Sequence, residues 1–145
     1  MKIFGHPVHL MLIHFPSALL PMDLACSAAC YYTGEPSFGM ASFYAMCGAV
    51  VLGWAAVAAG AFDLIAVSEQ KPTALQKALV HGSVNTAVII AYSLLAYRAY
   101  RQYPLLIPDG ISLLIVKALC IGFMIIGNFI GGALILKHHV AVENE

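Results

Sequence analysis

Long apolar stretches alternate with short clusters of turn-forming residues along the chain. Four stretches stand out, running approximately from Val8 to Tyr32, Phe38 to Val67, Leu75 to Tyr97 and Ile111 to Lys137. Each reaches the roughly 20 residues that a helix needs to cross a hydrocarbon layer about 30 Å thick. The breakers between them are Thr33-Gly34-Glu35-Pro36, Ser68 to Thr73 with Pro72, and Pro104 to Gly110 with Pro108-Asp109-Gly110. Connections this short favour antiparallel neighbours. The pattern therefore predicts an all-α membrane protein. It is read as one domain over 1–145, a four-transmembrane-helix antiparallel bundle with both termini on the same side.

Composition agrees with a bilayer setting. The 145 residues are 61% hydrophobic and 10% charged, against about 25% charged in an ordinary soluble domain. Seven basic and seven acidic residues are too few to cover a soluble surface. The formal charge is zero and no basic run is present, so a lipid bilayer is the expected partner and nucleic acid is not. Lys2 precedes an apolar stretch, as in a signal peptide, but His9, His14, Pro16 and Pro21 interrupt it and Asp23 stands before Cys26. The first stretch is expected to remain as a helix. Cys26, Cys30, Cys47 and Cys120 lie in apolar runs without C-x-x-C spacing, which reads as buried small hydrophobes rather than a zinc or disulfide framework.

The topology gathers the chemistry. With four spans, the start of the first, the end of the second, the start of the third and the end of the fourth share one leaflet. That leaflet receives His6, His9, His14, Asp63, His81, Asn85, His138 and His139, which include all six histidines. Ionisable groups at membrane depth are costly and usually mark ion paths, relays or cofactors. The opposite half holds Asp23 and Lys117 at comparable depth. They are expected to pair across helices as polar glue, with a proton path as the alternative. Glycines at 48, 53, 60, 122, 127, 131 and 132 are expected at close helix contacts or beside a flat ligand.

A b-type haem suits such a cluster, because two imidazoles from facing helices can clasp the macrocycle without covalent attachment. No C-x-x-C-H motif is present, which excludes c-type attachment. His14 and His81 each lie about six residues, or about 9 Å, inside their helices, and form the expected deeper pair. His9 and His14 are turned about 140° from each other on a straight helix. A second, shallower pair of His9 with His138 follows, with His6 or His139 as substitutes. Asp63 and Asn85 are placed to accept the ligands' second ring N–H. Three other readings stay open: a transition metal held by several histidines, a proton or ion conductor, and an accessory or assembly subunit with hydrogen-bonded histidines. No nucleophile–base pair and no phosphate-binding glycine loop occur, so catalysis by this chain alone is not expected.

Several segments resemble one family. Gly5-His6-Pro7-Val8-His9 with Leu12-Ile13-His14-Phe15-Pro16, then Gly60-Ala61-Phe62-Asp63, His81 with Asn85, and Gly131-Gly132-Ala133-Leu134 leading to His138 are similar, in order, to motifs of the bacterial membrane proteins catalogued as domain of unknown function 2231. The likeness covers nearly the whole chain, with His139 standing for a glycine and Leu136 for an aromatic residue. It implies the four-helix fold and a bacterial inner-membrane location, and it points to the same residues without supplying a reaction. Lys2, Lys71, Lys77 and Lys137 against Arg98 and Arg101 lean the termini toward the cytoplasm. The resulting functional expectation is a membrane cytochrome with one or two haems, exchanging electrons with a quinone or a partner redox protein, alone or as part of a homo- or hetero-oligomer.

Overall fold

The computed structural model describes residues 2–3, 6–68 and 72–138, with side chains over 8–65 and 75–132. Two short antiparallel segments, β1 (Lys2–Ile3) and β2 (His6–Pro7), pair ahead of the helices. Five helices follow: α1 (Val8–Leu12), α2 (His14–Thr33), α3 (Pro36–Ser68), α4 (Pro72–Tyr100) and α5 (Ile111–His138). The first span, Val8–Thr33, comprises α1 and α2, and the other three spans belong to α3, α4 and α5. These four spans are long and apolar enough to cross a membrane, and they form the expected all-α bundle, with the start of the first span and the end of α5 on one side.

The break between α1 and α2 follows from Pro16. Its ring carries no N–H to bond the Leu12 carbonyl and crowds that carbonyl, so the helix ends at Leu12 and Ile13 forms a turn. Ser17 mends part of the ladder by donating its hydroxyl to the Ile13 carbonyl at 2.7 Å. At the far end, Gly34 takes φ 71°, a left-handed conformation, and its N–H caps the Cys30 carbonyl at 2.9 Å. Only glycine adopts this geometry without penalty. Pro36 then opens α3 at a position where a missing N–H does no harm.

Helix α3 packs against α1, α2 and α4, while α5 leans mainly on α4. The buried centre is a cluster of Leu20, Phe43, Met46, Ala49, Val88, Tyr92, Ile121 and Met124. Large apolar side chains such as Val51, Leu94, Ile125 and Phe129 point outward, as a lipid-facing surface requires. Exposed Tyr31, Tyr32, Tyr97, Tyr100 and Tyr103 crowd the end bearing the α2–α3 and α4–α5 connections. Tyrosine at that level is the signature of a membrane–water interface, and it sits at the pole opposite the histidines.

Candidate functional site

The histidine half is hollow. A cleft of about 570 Å³ opens between the first span, α3, α4 and α5. That is within the roughly 300–1,000 Å³ of small-molecule sites. His9, Ser17, Asp63, His81, Asn85 and Asn128 line it among predominantly apolar and small residues, with Val88, Ile89 and Met124 at its inner end.

His9 and His81 approach each other from opposite walls, with ring centroids 6.2 Å apart and planes at 86°. His9 Nδ1 lies 2.8 Å from the Ala56 carbonyl, and His81 Nδ1 lies 2.7 Å from the Gly127 carbonyl. A carbonyl can only accept, so both Nδ1 atoms carry a proton and Nε2 is the atom that each ring can present to a ligand. Asn85 Nδ2 also lies 3.2 Å from His81 Nδ1. With that nitrogen already a donor, the amide's effective bond goes to the His81 carbonyl at 3.1 Å.

Glycines seat these rings. A Cβ on Gly60 would lie 2.9 Å from His9 Cε1, and one on Gly131 would lie 2.6 Å from His81 Cε1. A Cβ on Gly127 would fall 2.6 Å from Asn85 Nδ2. Three of the glycines expected at close contacts thus make room for polar side chains of the site. Motifs far apart in the chain meet here: Gly60 receives His9, and Gly131 receives His81.

His14 lies elsewhere. It is exposed at the start of α2, with Nδ1 donating to the Leu10 carbonyl of its own chain segment at 2.6 Å, and it does not line the cleft. The structure therefore brings His81 together with His9 and not with His14. His138 ends α5, but its side chain and that of His6 lie outside the described residues, as does the whole of His139. Asp63 lines the cleft. Among the described residues, no group of three or more His, Cys, Asp and Glu is placed to hold a metal ion. Ser17 and Asn128, not singled out from the sequence, link α2 to α5 at the cleft through a 3.0 Å bond from Asn128 Nδ2 to Ser17 Oγ.

The opposite half is closed around charges. Asp23 and Lys117 are 0% and 1% exposed, and they form the expected pair, Nζ to Oδ1 at 2.8 Å. Lys117 Nζ also reaches Asp109 Oδ2 at 2.7 Å and Ser27 Oγ at 2.7 Å, so its three N–H groups have three acceptors. Ser42 donates to Asp23 Oδ1 at 2.6 Å. Arg98 reaches the other oxygen of Asp109 at 3.2 Å. Two anions thus face two cations, which is what allows charges to remain at such depth. Asp109 was legible only as the middle of a Pro-Asp-Gly turn. Ser27 had a better signal, since it follows Asp23 by one helical turn.

Cys26, Cys30, Cys47 and Cys120 are all free thiols, in keeping with their apolar surroundings. Comparison with curated proteins and with solved structures finds no match. The model of the predicted membrane protein family DUF2231 matches residues 5–144, nearly the full 145-residue chain and all four spans through to the last helix. The chain is an integral membrane protein and belongs to that family.

Proposed function

We propose that the chain is a membrane b-type cytochrome that holds one haem in the cleft between His9 and His81 and exchanges electrons with a quinone or a partner redox protein. The carrying observation is the pair of imidazoles from facing helices, each locked by a backbone carbonyl so that Nε2 is left for a ligand. The 6.2 Å between the ring centroids is a separation at which His9 and His81 could hold one metal atom between them. Among the described residues, the count of ligands favours a macrocycle over a bare ion. A structural or catalytic transition-metal site takes three or four protein donors, whereas a porphyrin brings four nitrogens of its own and asks the protein for one or two axial groups. The cleft volume is likewise far larger than an ion requires.

The bound haem would supply the one-electron chemistry, and the chain's residues do the rest. The Ala56 and Gly127 carbonyls raise the basicity of the two imidazoles and fix their orientation. Gly60 and Gly131 let the rings lie close to α3 and α5. Val88, Ile89 and Met124 give the cleft a dry inner wall, which tunes potential through local polarity. The lysine bias supports a reading with the termini, and with them the cleft, on the cytoplasmic side of a bacterial inner membrane.

The test is the reduced-minus-oxidised absorption spectrum of the detergent-purified chain, expressed with haem available. One haem per chain with a sharp reduced α-band is expected. His9→Ala and His81→Ala should each abolish it, while His14→Ala should retain it. A colourless wild-type protein sinks the proposal, and a haem that survives both His9→Ala and His81→Ala moves the ligands elsewhere.

A further inference from the structure

The ion cluster of the opposite half has one irregularity. Asp23 Oδ1 accepts from Lys117 and Ser42, yet Oδ2 of the same fully buried carboxylate has no hydrogen-bond partner among the described residues. A buried carboxylate oxygen without a donor is expensive. Structural pairing alone would have been served by donors to both oxygens, so Asp23 keeps an acceptor that the ion pair does not use.

The surroundings supply a route to it. A cavity of about 30 Å³ lies between the cluster and the α4–α5 connection, lined among others by Ser27, Ser42, Arg98, Gln102, Asp109 and Lys117. Its wall is mixed, with these polar groups set among apolar ones such as Phe43 and Leu106, and it is large enough for about one water molecule. From Asp109, whose side chain retains 16% exposure, Oδ2 lies 3.3 Å from Ser27 Oγ; Ser27 lies 2.8 Å from Ser42 Oγ, which lies 2.6 Å from Asp23 Oδ1. Ser27 also lies 3.4 Å from Asp23 Oδ1 directly. Its single proton thus has a choice among two carboxylates and a hydroxyl, which is the condition for a relay. Inward of Asp23 the buried positions are Leu20, Met46, Ala49, Val88 and Met124, an apolar layer between this cluster and the cleft.

We propose that Asp23 is a proton-exchange site served from the α4–α5 face alone. Hydronium in the cavity gives a proton to the Asp109 carboxylate and leaves as water. Asp109 passes the proton to Ser27 Oγ as Ser27 gives its own to Ser42, and Ser42 gives its own to Asp23 Oδ1. Asp109 returns to its anionic form, and Lys117 remains charged against it. Rotation of the Asp23 carboxyl then swings the protonated oxygen into the position without a partner and turns the unprotonated one to Lys117. The apolar layer stops the proton there, so the site loads and unloads on one side. The titratable or charged groups around Asp23 are Lys117 from α5, Asp109 from the connection with Arg98 of α4 beyond it, Cys47 from α3, and Tyr92 from α4 with Cys120 beside it.

The test is infrared difference spectroscopy of the full chain in lipid vesicles, between pH 5 and 9 and on exchange into D₂O; it needs no haem. Expected is a protonated-carboxyl C=O band that grows on acidification, shifts in D₂O and is absent from Asp23→Asn. Because that variant can fail to fold, Ser27→Ala/Ser42→Ala provides the second readout. It keeps both ends of the ion pair and should retain the band but slow its deuterium shift at least tenfold. A band that persists in Asp23→Asn, no band at any pH, no shift in D₂O, or exchange in the serine double variant as fast as in wild type each overturns the proposal.

Discussion

At the tyrosine-ringed end of the bundle, all three N–H groups of the Lys117 ammonium meet oxygens of α2 and of the α4–α5 connection. At the other end, His9 and His81 give one ring nitrogen to a backbone carbonyl, and the other has no hydrogen-bond partner among the described residues. The first region leaves about 30 Å³ of space and the second about 570 Å³. Both hold costly polar groups at membrane depth. In one, side chains of neighbouring elements neutralise one another, so the region is complete apart from a single oxygen. In the other, the backbone fixes the rings and leaves their reactive atoms open. Self-satisfied polarity ties helices together; polarity fixed but unsatisfied prepares a ligand site.

The largest expected effect lies in the closed region. Lys117→Met leaves Asp23 without its cation at a position that is 0% exposed, and breaking a buried pair this way costs about 3–5 kcal/mol. Reversible unfolding in bicelles should register that loss. Asp23→Leu/Lys117→Leu should recover most of it, because removing both charges removes the unpaired one. A Lys117→Met protein as stable as wild type would mean that the two regions do not differ in the way described.

The open region should respond less in stability and more in binding. Gly131→Ala drives a methyl to 2.6 Å from His81 Cε1, and Gly60→Ala drives one to 2.9 Å from His9 Cε1. Neither ring can retreat without giving up its carbonyl bond. Overpacking of this kind costs about 1–3 kcal/mol, and displacing the imidazoles should lower haem occupancy several-fold in the same spectra. Gly122→Ala, where nothing lies within 4 Å of the added carbon, is the control and should leave both unchanged. Equal behaviour of the three variants would show that the glycines serve helix packing in general and not the rings.

The spans were legible because length and apolarity alone define a membrane helix, and the observed Pro36–Ser68 and Ile111–His138 lie within about two residues of the pattern. Helix α4 extends three residues further at each end, to Pro72 and Tyr100, since a proline is tolerated in a first helical turn. The gathering of histidines in one half was legible for the same reason. Their pairing was not, because counting residues along a straight helix gives depth without rotation. The break at Ile13 separates His9, which faces α3, from His14, which opens the next helix and turns outward. The pairing of Asp23 with Lys117 could be read from depth alone. The part played by Asp109 could not, because a Pro-Asp-Gly turn says nothing about where its carboxylate reaches. Nor does composition reveal that Gly60 and Gly131 face imidazoles, which depends on helix register.

The smallest effect tests where the comparison meets itself, at the bond from Asn128 to Ser17. This is a polar contact between side chains, like those of the ion cluster, but it lies on the cleft. Ser17 is already engaged with the Ile13 carbonyl, so removing either partner leaves no charge behind and only one weak donor or acceptor unpaired. Neutral hydrogen bonds between membrane helices average about 0.6 kcal/mol in double-mutant cycles. Ser17→Ala and Asn128→Ala, combined in such a cycle and read by unfolding in bicelles, should couple by about that amount. A coupling several times larger would mean that the cleft is braced side chain to side chain as tightly as the charged end. A coupling of zero would mean that α2 and α5 are held apart only by their shared neighbours, with the cleft free to widen between them for whatever enters.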